Sequence, residues 1–283
     1  MTQWQPSTRD AGFVGSIPES YDRYLRPLLF DGSAAELAAR VVLPRGRAAS
    51  VLELGTGTGA LTRQLRTRLP NDTTMTATDL NEPMLAVAQR QLEALGLANG
   101  VSWRVADAMA LPFDDGAFDV VASQFVVMFF PDKPRAAREA FRVLRPGGQW
   151  IFSVFGSWEE NPFGRILHET IASFFPDDPP QFYRVPFGYH DPEALRALAL
   201  AAGFEEPEIT VVNRVAELPS AEQAAIGFVR GNPVITEVEE RGTAEPDEVC
   251  RAVADRFAST FGDHPLRFPT RFRIVSARKA AES

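Results

Sequence analysis

Between residue 33 and about residue 155, short apolar runs alternate with longer amphipathic stretches. "AASVLEL" has the unbroken apolar character of a buried strand, and residues 60–69 continue it with helical spacing. "TTMTATD" predicts a second strand. In "NEPMLAVAQRQLEAL", Met84, Ala88, Leu92 and Leu95 fall on one stripe of a helix. Asn81 stands at its N-cap, Pro83 in its first turn and Gly96 beyond its end. "VSWRVAD" and "AFDVVASQF" predict the third and fourth strands, "PRAAREAFRVL" a helix ended by "RPGG", and "QWIFSVF" a fifth strand. Alternating strands and helices joined by short loops imply a parallel sheet covered on both faces. Right-handed crossovers put the ligand of such a sheet at the carboxyl ends of its strands.

The texture changes after Phe155. Residues 156–190 are rich in proline and aromatics, among them Trp158, Phe163, Phe182, Tyr183 and Phe187. "DPEALRALALAAGF" predicts a helix leading into the strand "EITVVNRVAE"; residues 218–265 are helical and more polar, and "RFRIVSARK" is the last strand. The expected organisation is one domain. Its core covers about 33–155, 191–217 and 266–279, with an N-terminal cap over 1–32 and insertions at 156–190 and 218–265.

Composition narrows the function. Of 283 residues 45% are apolar, enough for a full core, and the formal net charge is −8. An acidic surface repels phosphate backbones, so nucleic acid is not an expected partner. The single cysteine, Cys250, can form neither an internal disulfide nor a metal cluster, which fits a cytoplasmic protein. "MTQWQPSTRD" lacks a basic region followed by an apolar run, so no signal peptide is expected. No apolar stretch reaches the ~18–20 residues of a membrane span.

The chemistry centres on "VLELGTGTGALTRQL", Val51 to Leu65, where Gly55, Gly57 and Gly59 form a nucleotide-type turn. Gly55, Gly57 and Ala60 satisfy a relaxed dinucleotide fingerprint, and Asp79 sits where a ribose-binding carboxylate belongs. A triphosphate loop is excluded because no Gly-Lys-Ser/Thr follows. Glu53, at the end of the first strand, would oppose a pyrophosphate but suits a cationic nucleoside such as S-adenosylmethionine. An oxidoreductase would also need a proton relay such as Tyr-x-x-x-Lys, which is not evident.

Taken with "TDLNEPMLAVA" and "VADAMALPFDDGAFDVVASQFVVMFFPDKPRAAREAFRVLRPGG", residues 18–155 resemble the class I S-adenosylmethionine-dependent methyltransferases, type 11, which are similar to quinone-biosynthesis C-methyltransferases. The resemblance implies an α/β, Rossmann-like, doubly wound and mostly parallel seven-stranded sheet, with an antiparallel last strand and helical lid insertions. It implies S-adenosylmethionine as cofactor and S-adenosylhomocysteine as product. Carried over residue by residue, Gly55, Thr56, Gly57 and Gly59 bring backbone close to the methionine and ribose parts, and Glu53 orients nearby backbone or binds the methionine amino end through water. Asp79 accepts from the ribose hydroxyls, Leu80 and Met84 flank the adenine, Asp107 and Ala108 meet its amino edge, and Gln124 lies near the methionine end.

In "IPESYDRYLRPLLF", Tyr21 and Tyr24 share a face if the segment is helical. The resemblance implies a segment folded over the cofactor, with Tyr24 at the cofactor and Tyr21 at the acceptor; a packing helix with half-buried tyrosines is the equal alternative. Phe125, Phe129 and Tyr189 are the other expected acceptor contacts, implying an apolar or aromatic small-molecule acceptor. His190 and His168 are weak candidates for a base, with helix-start and packing roles as their alternatives. Methyl transfer by in-line displacement asks little of side chains beyond alignment. A metal is not expected, because "SQFVVMFFPD" offers only Asp132. The competing class is a non-catalytic module that binds the cofactor or its product. Residues 218–265 read equally as a lid or as a homodimer contact.

Overall fold

The computed structural model describes residues 11–281. The stretch "MTQWQPSTRD", with the leader-peptide reading and the first part of the N-terminal cap, lies outside the described residues.

Seven strands form one sheet: β1 (Ser50–Leu54), β2 (Thr74–Asp79), β3 (Val101–Val105), β4 (Phe118–Gln124), β5 (Leu144–Phe155), β6 (Glu208–Leu218) and β7 (Leu266–Arg278). Their order is β3-β2-β1-β4-β5-β7-β6. β1 to β5 pair in parallel, and β7 runs antiparallel to both β5 and β6. The chain winds outward from β1 through β2 to β3, then crosses back to β4 on the other side. The β1/β4 boundary is therefore the topological switch point, where the two loops diverge and open a crevice. Val51, Leu52, Val120, Val121 and Ala122 are fully buried there, as strands covered on both faces require.

The helices are α1 (Ile17–Ser20), a π-helix (Tyr21–Phe30), α2 (Asp31–Ala38), α3 (Ala60–Arg68), α4 (Glu82–Ala94) and α5 (Lys133–Val143). They continue with α6 (Pro162–Ala172), α7 (Pro192–Ala201), α8 (Ala221–Arg230), α9 (Val234–Arg241) and α10 (Pro246–Phe261). Strand and helix positions follow the apolar pattern closely, with three differences. β7 begins at Leu266, ahead of "RFRIVSARK", because it pairs with β6 as far as Leu218↔Leu266. "RPGG" lies inside the first part of β5, with Gly147 at φ +76°. Asn81 holds the N-cap position of α4 without capping it; its Nδ2 instead donates to the Ala11 carbonyl (2.9 Å) and Asp79 Oδ1 (3.3 Å).

The π-helix contains Pro27, which has no N–H for the intrahelical ladder; at its end the Asp31 N–H donates to the Arg26 carbonyl, an i→i+5 bond. The wider winding turns residues three apart further from one another than an α-helix would. Tyr21 and Tyr24 thus part company.

Residues 218–265 build a cap over the carboxyl ends of β4 and β5. α8 lies so close to the π-helix that a Cβ on Gly227 would stand 2.8 Å from Tyr24 Cβ. α10 packs on α8, its Phe257 ring edge-on to Phe228 at 5.7 Å. The 156–190 segment is pinned to β7 by Asn161, whose carboxamide donates to the Arg271 carbonyl (2.9 Å) and accepts from the Arg271 N–H (2.8 Å).

Candidate active site

A cavity of about 410 Å³ opens at the switch point. Its first end is made by the loops after β1, β2 and β3: Gly55, Gly57, Asp79, Leu80, Asn81 and Met84, with 106–109 beside them. Gly55 (φ +65°) and Gly57 (φ +56°) adopt left-handed backbone that glycine reaches without strain. At Gly55 a Cβ would also meet Val126 Cγ2 at 2.4 Å. The turn is drawn onto Asp79, whose Oδ2 accepts from the Gly57 N–H (2.8 Å) and whose Oδ1 accepts from the Asn81 N–H (2.9 Å). Burial raises the Asp79 pKa, and these backbone donors work against that rise. Asp107 Oδ1 accepts from the Met109 N–H at 2.8 Å, and Leu80 presents an apolar side chain that is 57% exposed.

The second end is aromatic. Phe125, buried and at φ +53°, stacks on Phe155 with centroids 4.0 Å apart. A non-glycine residue in that region is strained and is held by its surroundings; here the Phe125 N–H donates to the Ser153 carbonyl at 3.1 Å. Tyr21 stacks on Phe30 (4.9 Å, 9°), and Phe129 stacks on Phe182 (5.9 Å). Phe163 and Phe187 extend the wall from the 156–190 segment, and Phe228 and Asn232 close it from the cap. Tyr21 stands between the two ends. Burial, then the nearby Asp79 carboxylate, raises its pKa, so the hydroxyl keeps its proton.

Several of the residues singled out in the sequence do not line this cavity. Glu53 is buried beneath the loop (1% exposed), where its Oε2 accepts from Thr62 Oγ1 at 2.7 Å on α3. Burial pushes its pKa up to about 8, with the Asp79 charge adding to the rise and Thr62 opposing it. Its Oε2 is thus engaged by α3, and Glu53 does not line the cavity. Thr56 donates its N–H to the Thr78 carbonyl and is buried. Gly59 (φ +87°) serves helix packing, since a Cβ there would meet Leu92 Cδ1 at 3.0 Å and Ala88 Cβ at 3.2 Å. Tyr24 is turned toward α8.

Tyr189 lies under the Lys133 ammonium (4.9 Å from the ring centroid), outside the cavity wall. His190 precedes Asp191, whose side chain caps α7 through the Glu193 N–H. His168 stacks on Trp158 at 4.9 Å, half-buried, with its pKa lowered by burial. Gln124 does line the cavity, but its Nε2 donates to the Phe30 carbonyl (2.8 Å) and Ser33 Oγ (2.9 Å), tying β4 to the N-terminal cap. Asp132 caps α5 by accepting from the Arg135 N–H.

Phe228 and Asn232 were not legible as site residues. The polar texture of 218–265 obscured the apolar stripe Ala221, Ala224, Ala225 and Phe228 that seats α8. Asn81, Phe30 and Phe155 were likewise missed, the first because its side chain ties the site to Ala11 instead of capping its helix.

A seven-stranded sheet with one reversed strand, and a glycine turn bonded to an acidic strand end at its switch point, define the class I methyltransferase architecture. Comparison with known proteins agrees. Residues 52–152 match the family described as "Methyltransferase domain". The demethylmenaquinone methyltransferase of Thermus thermophilus is 38% identical over 164 residues, spanning 54% of this chain and 73% of that protein. The ubiquinone/menaquinone biosynthesis C-methyltransferase UbiE of Idiomarina loihiensis is 31% identical over 170 residues, spanning 56% and 68%. Among solved structures, the YcgJ protein of Bacillus subtilis superposes with a TM-score of 0.58 at 16% identity, covering 89% of this chain and 99% of that one. The [4+2]-cyclase SpnF superposes with a TM-score of 0.57 at 22% identity, covering 89% and 82%. This chain belongs to the S-adenosylmethionine-dependent methyltransferases.

Proposed function

We propose that the enzyme transfers a methyl group from S-adenosylmethionine to an apolar, aromatic small molecule of the quinol type. The observation that carries this reading is one continuous cavity, with a glycine–aspartate cradle at one end and aromatic walls at the other. The relatives' names, demethylmenaquinone methyltransferase and ubiquinone/menaquinone biosynthesis C-methyltransferase, point to the same acceptor class. A non-catalytic module would have no need of the second chamber.

The cradle suits the nucleoside. Asp79 accepts backbone N–H groups and, as a carboxylate with about four acceptor sites, retains capacity for ribose hydroxyls. Leu80 and Met84 offer apolar contact to a purine, and Asp107 an acceptor for its amino group. When bound, S-adenosylmethionine supplies a methyl group already activated by its sulfonium. The chain's own part is to align the acceptor with that group and keep water out. Alignment of this kind is worth ~7–11 kcal/mol, and the phenylalanine walls exclude solvent. Tyr21, protonated at the junction, donates a hydrogen bond toward the methionine end. No histidine lines the cavity, so neither His168 nor His190 is assigned as base.

The reading treats 33–155, 191–217 and 266–279 as one domain, supported by the pairing of β6 and β7 onto β5. It places the enzyme in the cytoplasm without a nucleic-acid partner, as the net charge of −8 and the single cysteine support; a homodimer is compatible with it. Among the described residues no helix is long and apolar enough to cross a membrane.

The test is incubation of the purified chain with methyl-labelled S-adenosylmethionine and a panel of hydroquinones, phenols, amines and thiols, with calorimetric titration of the cofactor and of NAD alongside. Label transferred to an aromatic acceptor is the expected result. Binding of NAD alone, or methylation confined to amines, would overturn the reading.

A further inference from the structure

The aromatic chamber contains one polar side-chain pair far from the nucleoside cradle, Tyr183 and Asn232. Both line the cavity, and they are only 4% and 8% exposed. The Tyr183 hydroxyl donates to the Phe228 carbonyl at 2.5 Å. Asn232 Nδ2 donates to Tyr183 Oη (3.2 Å) and to the same Phe228 carbonyl (3.1 Å). These two oxygens fix which way the carboxamide faces. Were it flipped, Asn232 Oδ1 would oppose the Phe228 carbonyl oxygen, which can only accept. The nitrogen is therefore turned to the wall. Among the described residues Oδ1 accepts no hydrogen bond, and in a residue only 8% exposed it stays open to the cavity. A carbonyl oxygen facing the cavity can bond water there, so a bound molecule that covers it must supply a donor in its place or leave it unsatisfied.

We propose that Asn232, positioned by Tyr183, is the specificity-determining contact for a ring hydroxyl of the acceptor, which donates its O–H to Asn232 Oδ1. This rests on the reading of the chamber as the acceptor site and adds what that chamber selects. A hydroxyarene satisfies Oδ1. Its methyl ether, of nearly the same shape, desolvates Oδ1 without replacing the lost donor, and a quinone carbonyl does no better. Apolar walls alone would make no such distinction. Burial raises the Tyr183 pKa, which keeps the positioning hydroxyl protonated.

The experiment compares 1-naphthol with 1-methoxynaphthalene, each titrated into protein saturated with S-adenosylhomocysteine. Wild type should prefer the naphthol by about tenfold, the cost of one unsatisfied buried acceptor. Asn232→Leu keeps the volume and leaves the Phe228 carbonyl its Tyr183 donor. It should bring the ratio close to one by weakening naphthol alone, with affinity for S-adenosylhomocysteine unchanged. Tyr183→Phe should reduce the ratio severalfold through loss of position, and it serves as the second variant if Asn232→Leu fails to fold. A merely structural role would weaken both probes together and leave their ratio intact, which would overturn the proposal. If wild type binds both probes equally, the hydroxyl contact falls while the acceptor chamber stands. If it binds neither, the chamber reading itself falls, and the contact with it.

Discussion

Glu53 offers a test of how this site is built, because its buried carboxyl is expected to be neutral in the folded protein at neutral pH. The ordinary value of about 4.5 is pushed up to about 8, first by burial. The group is 1% exposed and has Thr62 Oγ1 as hydrogen-bond donor. A carboxyl whose folded pKa lies above its unfolded pKa binds its proton more tightly in the native state. Its contribution is then fully present below about pH 4.5 and is lost as pH rises toward 8. Each pH unit across that window removes about 1.4 kcal/mol, so the whole window is worth on the order of 5 kcal/mol.

Glu53→Gln replaces the neutral acid with a neutral amide of the same shape, whose oxygen can accept from Thr62 as Oε2 does. The two proteins should be within about 1 kcal/mol of one another at pH 5. By pH 8 the glutamine variant should be the more stable by several kcal/mol. Urea unfolding of cofactor-free protein at pH 5, 6.5 and 8 measures this, and taking the difference between the proteins cancels every other titrating group. A difference that stays flat across the range, or one that moves in favour of wild type as pH rises, would mean that Glu53 is ionised in the fold. The burial argument would then be wrong.

Asp79→Asn keeps the side-chain shape but removes the charge and one of the two oxygens that accept from the Gly57 and Asn81 N–H groups. Calorimetry should show affinity for S-adenosylhomocysteine reduced at least tenfold, since charge-assisted hydrogen bonds contribute about 1.5–3 kcal/mol each; unchanged affinity would place the ribose elsewhere. Gly55→Ala and Gly57→Ala separate two reasons for glycine in one turn. Both force a side chain into left-handed backbone, at about 1–2 kcal/mol, but only at Gly55 does the new Cβ meet Val126 at 2.4 Å. Overpacking adds about 1–3 kcal/mol there, so thermal unfolding should fall distinctly further for Gly55→Ala, and equal losses would contradict the steric account.

Much of this protein could be read from local pattern. Strand and helix positions from 50 to 155 follow from apolar spacing, because each element is decided by which of its own residues must leave water. The glycine turn and Asp79 were legible for the same reason: left-handed backbone and an acidic strand end leave a local trace. The direction of Glu53 left none, since β1 is buried on both faces and carries no alternation to say which way a side chain points. Tyr21 and Tyr24 look equivalent at helical spacing, and only the π-winding around Pro27 sends one to the cavity and the other to α8. Tyr189 and His168 belong to an aromatic stretch whose rings divide between the chamber and the exterior according to how Asn161 pins that segment to β7. Asn232 and Phe228 meet Tyr183 across 45 or more residues of chain. Long-range packing of the cap creates that contact, and a linear pattern of hydrophobic and polar positions holds no record of it.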